Sequence, residues 1–150
     1  MKKRIYIFFS ILFFSLVSFG QETITDTTEM CKTLRKMVEN DQMYRNGKIL
    51  KDGKFGSKST YSKKVKDSVW VLQRKLDDEN TEKLIKLTKK YGWIPDERIN
   101  CDKLNIWLIF RHSDKKYYNE IAEVIEKEHN AKRLNDFYYK LMSDHVTGKY

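Results

Sequence analysis

Apolar residues recur every three or four positions in segment after segment of this chain, and turn residues separate the segments. That spacing lays one apolar stripe along an α-helix, whereas a half-buried strand needs strict alternation, and no stretch alternates with comparable strength. The expected fold is therefore all-α, an irregular bundle of about six helices. Asp26-Thr27-Thr28-Glu29 pairs a capping side chain with Glu three residues on, so a first helix starts there, carries Met30, Leu34, Met37 and Val38, and ends by Asn46-Gly47. Residues 47–62 are rich in Gly, Lys and Ser and read either as a small hairpin closing on Asp52-Gly53 or as an irregular exposed loop. Val65, Val69, Leu72 and Leu76 mark a second helix. Asp77-Asp78-Glu79-Asn80 breaks the pattern and caps a third with Leu84, Ile85, Leu87 and Tyr91. Gly92 ends that helix, Pro95 forbids its continuation, and Trp93 folds back on its end. A fourth helix from 100–102 carries Leu104, Trp107, Leu108 and Phe110. A fifth, capped by Ser113-Asp114, carries Tyr117, Ile121, Val124 and Ile125 as far as Asn130. A sixth carries Leu134, Phe137, Tyr138, Leu141 and Met142.

The first twenty residues read as a secretory signal. Lys2, Lys3 and Arg4 precede an almost unbroken apolar run from Ile5 to Val17, and Ser18-Phe19-Gly20 offers small residues for cleavage before Gln21. The run is shorter than the roughly 20 residues of a membrane span, and Cys31 lies too far on for a lipoprotein. The expectation is a periplasmic or extracellular protein with one domain, residues 21–150. With Lys2, Lys3 and Arg4 removed from the 30 basic residues, 27 face 21 acids, a net charge of +6. These charges alternate in sign along helix faces, as solvated faces do. The partner they suit is an anionic envelope surface, weakly held. No Arg-rich or base-stacking motif points to nucleic acid. Cys31 and Cys101 either form a disulfide, which an oxidising compartment permits, or remain as small buried thiols.

Several polar residues lie where apolar ones are due. The first stripe continues to Asp41 and Arg45, four apart and able to meet. Going back from Leu84 leads to Asn80 and Asp77, Leu104 and Leu108 lead to His112, and the sixth stripe leads to Asp144 and close to His145. Buried charge is costly unless paired, so these groups are expected to meet near one end of the bundle. His112, Asp114 and His145 with Asp41 or Asp144 are metal-ligand types, but no His-x-x-x-His or Cys-rich spacing is present, so neither a metal nor a cofactor is assigned. His129, between Glu128 and Asn130, reads as solvent-facing. The chain has no Gly-x-Ser-x-Gly elbow and no phosphate-cradling Gly loop. General acid–base chemistry by His112 with Asp41 remains open.

Asp41-Gln42-x-x-Arg45, Asp77-x-x-Asn80, Gly92-Trp93 and His112-Ser113-Asp114, in this order over about residues 30–145, resemble the motifs of a family of bacterial proteins catalogued as a domain of unknown function. That family carries Asp-Gln-x-x-Arg, Asp-x-x-Asn, Gly-Trp-Pro and His-[Ala/Ser]-Asp. Here Ile94 separates Trp93 from Pro95, His145 follows Asp144 where the family resembles Asp-Arg, and the family's Tyr-Gly-Thr-Gln tail is not matched. The resemblance implies site residues and no activity. If the tail completes a pocket, the pocket here is altered.

Three readings follow. The first is a binding module holding a polar small ligand in a cleft with Arg45, Gln42, Asp77, Asn80 and Trp93 among its residues, Arg45 suiting a carboxylate or phosphate. The second is a hydrolase with His112 as base, oriented by Asp41 or Asp114. The third is a buried polar network with no ligand.

Overall fold

The computed structural model describes residues 21–54 and 58–149. The signal-like segment 1–20 and the tip of the Gly-rich loop lie outside them. All regular structure among the described residues is helical, and six α-helices are present, as the periodicity predicts. Their division of the chain differs from the expected one.

Helix α1 (Thr27–Gln42) starts where the capping pattern places it, with the Asp26 carboxylate accepting from the Glu29 N–H at 2.9 Å, and it buries Leu34, Met37 and Asp41. Among its described residues, the next segment forms neither hairpin nor wholly irregular loop. Helix α2 (Lys48–Lys51) is one turn that buries Leu50, and the Asp52 carboxylate after it accepts from the Ser59 and Thr60 hydroxyls and the Thr60 and Tyr61 N–H groups. The Ser59 hydroxyl leads these donors in holding Asp52 far below the ordinary carboxylate range.

The second and third expected helices are one. Helix α3 (Lys63–Tyr91) runs 29 residues without interruption. Asp77 and Asn80 do not break it, because Asp77 is bonded to Arg45 just past α1 and Asn80 to the Met37 carbonyl of α1 rather than to local backbone, and nothing between 63 and 91 is Gly or Pro. One continuous helix also fixes a single phase. The buried face reads Gln73, Asp77, Asn80, Thr81, Leu84, Ile85 and Thr88, while Val65 and Leu72 of the expected second stripe face solvent. Gly92 ends α3 at φ +78°, left-handed backbone that favours glycine.

Beyond a 3-10 turn at Asp96–Ile99, the expected fourth helix is cut to α4 (Trp107–Arg111). Asn100 and Asn105 both take left-handed backbone (φ 48° and 54°), which an α-helix does not accommodate. Cys31 and Cys101 form a disulfide that ties α1 to this segment. Asp114 caps a 3-10 turn leading into α5 (Tyr118–Asn130), and Asn135 caps α6 (Asp136–Val146). Phe137, expected inward, is 67% exposed. His129, expected in solvent, stacks on Tyr139 with ring centroids 4.1 Å apart and bonds Asp136 at 2.8 Å. The core gathers Leu34, Met37, Leu84, Ile109, Phe110, Ile121, Ile125 and Met142 from α1, α3, α4, α5 and α6, with Ile94 from the turn after α3. Among the described residues, no helix is long and apolar enough to cross a membrane.

Candidate functional site

The C-terminus of α1 meets the middle of α3 and the end of α4. The first two of these carry the polar residues that the stripes place inward, and His112 follows α4. Asp41 is 2% exposed, and its carboxylate receives His112 Nδ1 at 2.8 and 3.0 Å and the Gln42 amide. Arg45, one turn on, lays Nη1 and Nη2 on the two oxygens of Asp77 at 2.7 and 2.6 Å and also donates to the Asp41 carbonyl at 2.6 Å. This fork-to-fork pairing is the geometry a guanidinium makes best. Asn80 donates to the Met37 carbonyl at 2.8 Å.

Gln73 binds the cluster together and was not found from sequence. It is fully buried. Its amide nitrogen donates to Asp77 at 2.8 Å and to the Asp41 carbonyl at 3.0 Å, while its oxygen accepts from the Tyr44 and Arg45 N–H groups at 2.9 and 3.3 Å. It thereby satisfies backbone groups that the end of α1 leaves open. The signal was its place four residues before Asp77 on the same face.

Above this sealed tier lies an open cleft of about 670 Å³, lined by Arg45, Trp70, Arg74, Asp77, His112 and Asp114 among others. Arg45 Cζ stands 5.8 Å from the Trp70 ring centroid, within cation–π reach. The His112 side chain is 26% exposed. Its Nδ1 edge is held by Asp41, and Nε2 makes no hydrogen bond among the described residues. With the ring neutral and Nδ1–H donated to Asp41, Nε2 carries a lone pair. The arrangement can therefore accept a hydrogen bond or a proton at one fixed position.

The other expected site residues are placed as follows. Asp114 lines the cleft but spends its carboxylate on the Lys116 N–H, and Ser113 bonds the Phe110 carbonyl. Gln42 joins Asp41 to Asn46. Trp93 is not in this cleft. It is 5% exposed, packs on Phe110 and borders a separate groove. Asp144 pairs with Lys140, and His145 is edge-on to Tyr118 with Nε2 3.2 Å from its hydroxyl. Burial, helped by the charge of Arg111, holds His145 below its ordinary value. Among the described residues, no three His, Cys, Asp or Glu side chains converge as metal ligands.

A second buried charge escaped the sequence reading. Glu128, 2% exposed, accepts from Arg133 Nε and Nη2 at 2.6 and 2.9 Å, from the Trp93 N–H at 2.8 Å and from Gln21 at 2.9 Å. Burial alone would raise its pKa, but these donors outweigh burial and lower it. Its signal was the continuation of the stripe Ile121, Val124, Ile125 by one turn. No protein-family model matches the chain, and comparison with curated proteins and with solved structures finds no match.

Proposed function

We propose that the chain is an exported helical binding domain that takes a small polar ligand in the cleft beside His112. The carrying observation is the division of labour in the cluster: Gln73 bonds Asp77 and the Asp41 carbonyl, Asn80 bonds the Met37 carbonyl, and all four polar side chains are buried, while His112 stands at an open cleft with one ring nitrogen held and the other unbonded. A buried network that existed only for stability would not need an accessible imidazole at its edge. Arg45 is engaged by Asp77, so its part is to neutralise and position, and the ligand contacts are His112, the Trp70 ring and the cations Arg74 and Lys75 on the wall. The resemblance to the bacterial family of unassigned activity adds support, since its motifs select Asp41, Arg45, Asp77, Asn80 and His112. Export rests on the signal-like first twenty residues, with the Cys31–Cys101 disulfide in keeping with it.

The same Asp41–His112 pair supports a second reading, a hydrolase in which His112 Nε2 activates water. A carboxylate that fixes the imidazole tautomer is the arrangement a general base needs. A thermal-shift screen of polar metabolites against the wild type and His112→Gln tests the first reading. A ligand that raises the melting temperature of the wild type and not of the variant is expected. Turnover of ester or phosphate substrates lost in His112→Gln would establish the second. Absence of any ligand or turnover, together with strong destabilisation by His112→Gln, would leave the cluster a structural network. Recovery of the mature chain from the periplasm or medium checks export.

A further inference from the structure

A groove of about 780 Å³, distinct from the His112 cleft, runs between the 93–107 segment and the start of α6. That volume is in the range of small-molecule sites. Its apolar wall is made by Trp107 and Tyr138, whose rings are 6.0 Å apart at 30°, with buried Ile106 beside them. Trp107 Nε1 is buried without a hydrogen-bond partner, which leaves an indole donor unsatisfied in this wall.

The backbone around the groove is unusual. The described residues contain three non-glycine positions in left-handed conformation, Asn100, Asn105 and Lys132, at φ 48°, 54° and 60°, and all three line this groove. Such conformations persist where surrounding structure enforces them, and they gather at ligand sites. Here the enforcement is visible: the disulfide fixes Cys101, and the Asp96 carboxylate accepts the Leu104 N–H at 3.1 Å. The Asn100 and Asn105 amides and the Glu97 carboxylate, all on the groove, make no side-chain hydrogen bond among the described residues. The site is thus braced before any ligand arrives, which lowers the entropy lost on binding.

We infer that this groove is a saccharide-binding site, with Trp107 and Tyr138 as the stacking wall and the Asn100 and Asn105 amides as hydroxyl partners. A sugar ring has an apolar C–H face that lies against an aromatic wall, and hydroxyls that each donate and accept. That dual demand matches the unbonded Asn100 and Asn105 amides and the Glu97 carboxylate standing together on the groove. A simple anion would meet Asp96 and Glu97 as well as Lys103, Lys132 and Arg133. A purely apolar ligand would cover the free amides without satisfying them.

The test uses the whole protein and the probes chitotetraose, cellotetraose and maltotetraose, read by tryptophan fluorescence and calorimetry. Saturable binding of at least one is expected, with a change in tryptophan emission. Trp107→Leu should abolish binding, but it removes a half-buried ring and can disturb folding. The Asn100→Gly/Asn105→Gly double variant is the decisive one, since glycine keeps the left-handed backbone and deletes only the amides. It should weaken binding by at least about tenfold, in line with two lost hydrogen bonds. No binding of any of the three sugars overturns the inference. So does binding that the double variant leaves intact, or a response to indole-3-acetate or phosphate with none to the sugars.

Discussion

Replacing Arg45 by Ala removes the cation between two buried carboxylates. The Arg45 side chain is 16% exposed and that of Asp77 5%. After truncation Asp77 keeps Gln73 as its remaining hydrogen-bond donor, and Asp41 keeps His112 and Gln42. An uncompensated buried carboxylate costs about 3–5 kcal/mol when its partner is deleted, a large share of the roughly 5–15 kcal/mol that holds a domain folded. With an m-value of about 2 kcal/mol/M in urea, the unfolding midpoint should fall by about 2 M, measured by far-ultraviolet circular dichroism at pH 7. Arg45→Lys keeps the charge and loses the fork, so it should fall between Ala and wild type. Arg45→Met with Asp77→Leu removes both charges and should recover most of the loss. If Arg45→Ala costs less than about 1 kcal/mol, the pair behaves as a solvent-screened surface bridge and the buried-network account is wrong. If the double variant is as unstable as the single one, burial of charge is not the cause.

Three further outcomes follow from other parts of the structure. Cys31 and Cys101 are 70 residues apart, so Cys101→Ser should cost about 4 kcal/mol by loop-closure entropy; reductant should bring the wild type down to the variant in urea unfolding and leave the variant unmoved. The folded-state pKa of His145 is depressed mainly by burial from the ordinary 6.5, so its contribution is present above pH 6.5 and is lost as pH falls through 6.5 toward the folded value, where the unfolded chain takes the proton first; His145→Gln should flatten the stability profile between pH 7 and 5, and parallel profiles would refute this. Thr81 Oγ1 is buried without a partner, so Thr81→Val, nearly the same shape without the hydroxyl, should raise stability by about 1 kcal/mol in the same denaturation assay.

Much of the polar cluster was legible because helical spacing makes a misplaced charge conspicuous. Asp41 and Arg45 interrupt a stripe that begins at Met30, and His112 closes one that begins at Leu104, so their convergence followed from the cost of burying charge. Gln73 was not legible, and the reason is phase. Treating 77–80 as a break allowed the preceding helix its own stripe at Val65, Val69, Leu72 and Leu76. A single helix extended backward from Leu84 instead passes through Asn80, Asp77, Gln73 and Trp70. Asp77 at mid-helix reads as a cap because its long-range partner Arg45, just past α1, does not show in local sequence. The shortening of α4 was hidden for a related reason: the left-handed turns at Asn100 and Asn105 are tolerated by asparagine without being announced by it. Trp93 was assigned to the wrong cavity because Gly92 and Pro95 show where the chain turns and not which way the ring then faces.

The length of α3 has a mechanical consequence. Twenty-nine residues span roughly 43 Å, longer than a globule of this size is across, given a radius of gyration of about 14 Å. Its first half carries exposed Val65, Val71 and Leu72, and α2 packs on the helix with Lys66 donating to the Asp52 carbonyl. The Arg45–Asp77 pair and Gln73 sit near the middle of that rod, where it bears on α1. Unbroken backbone hydrogen bonds join the N-terminal end of α3 to this contact, so tilting that end should shift Asp77, then Arg45 and Asp41, and so the ring of His112.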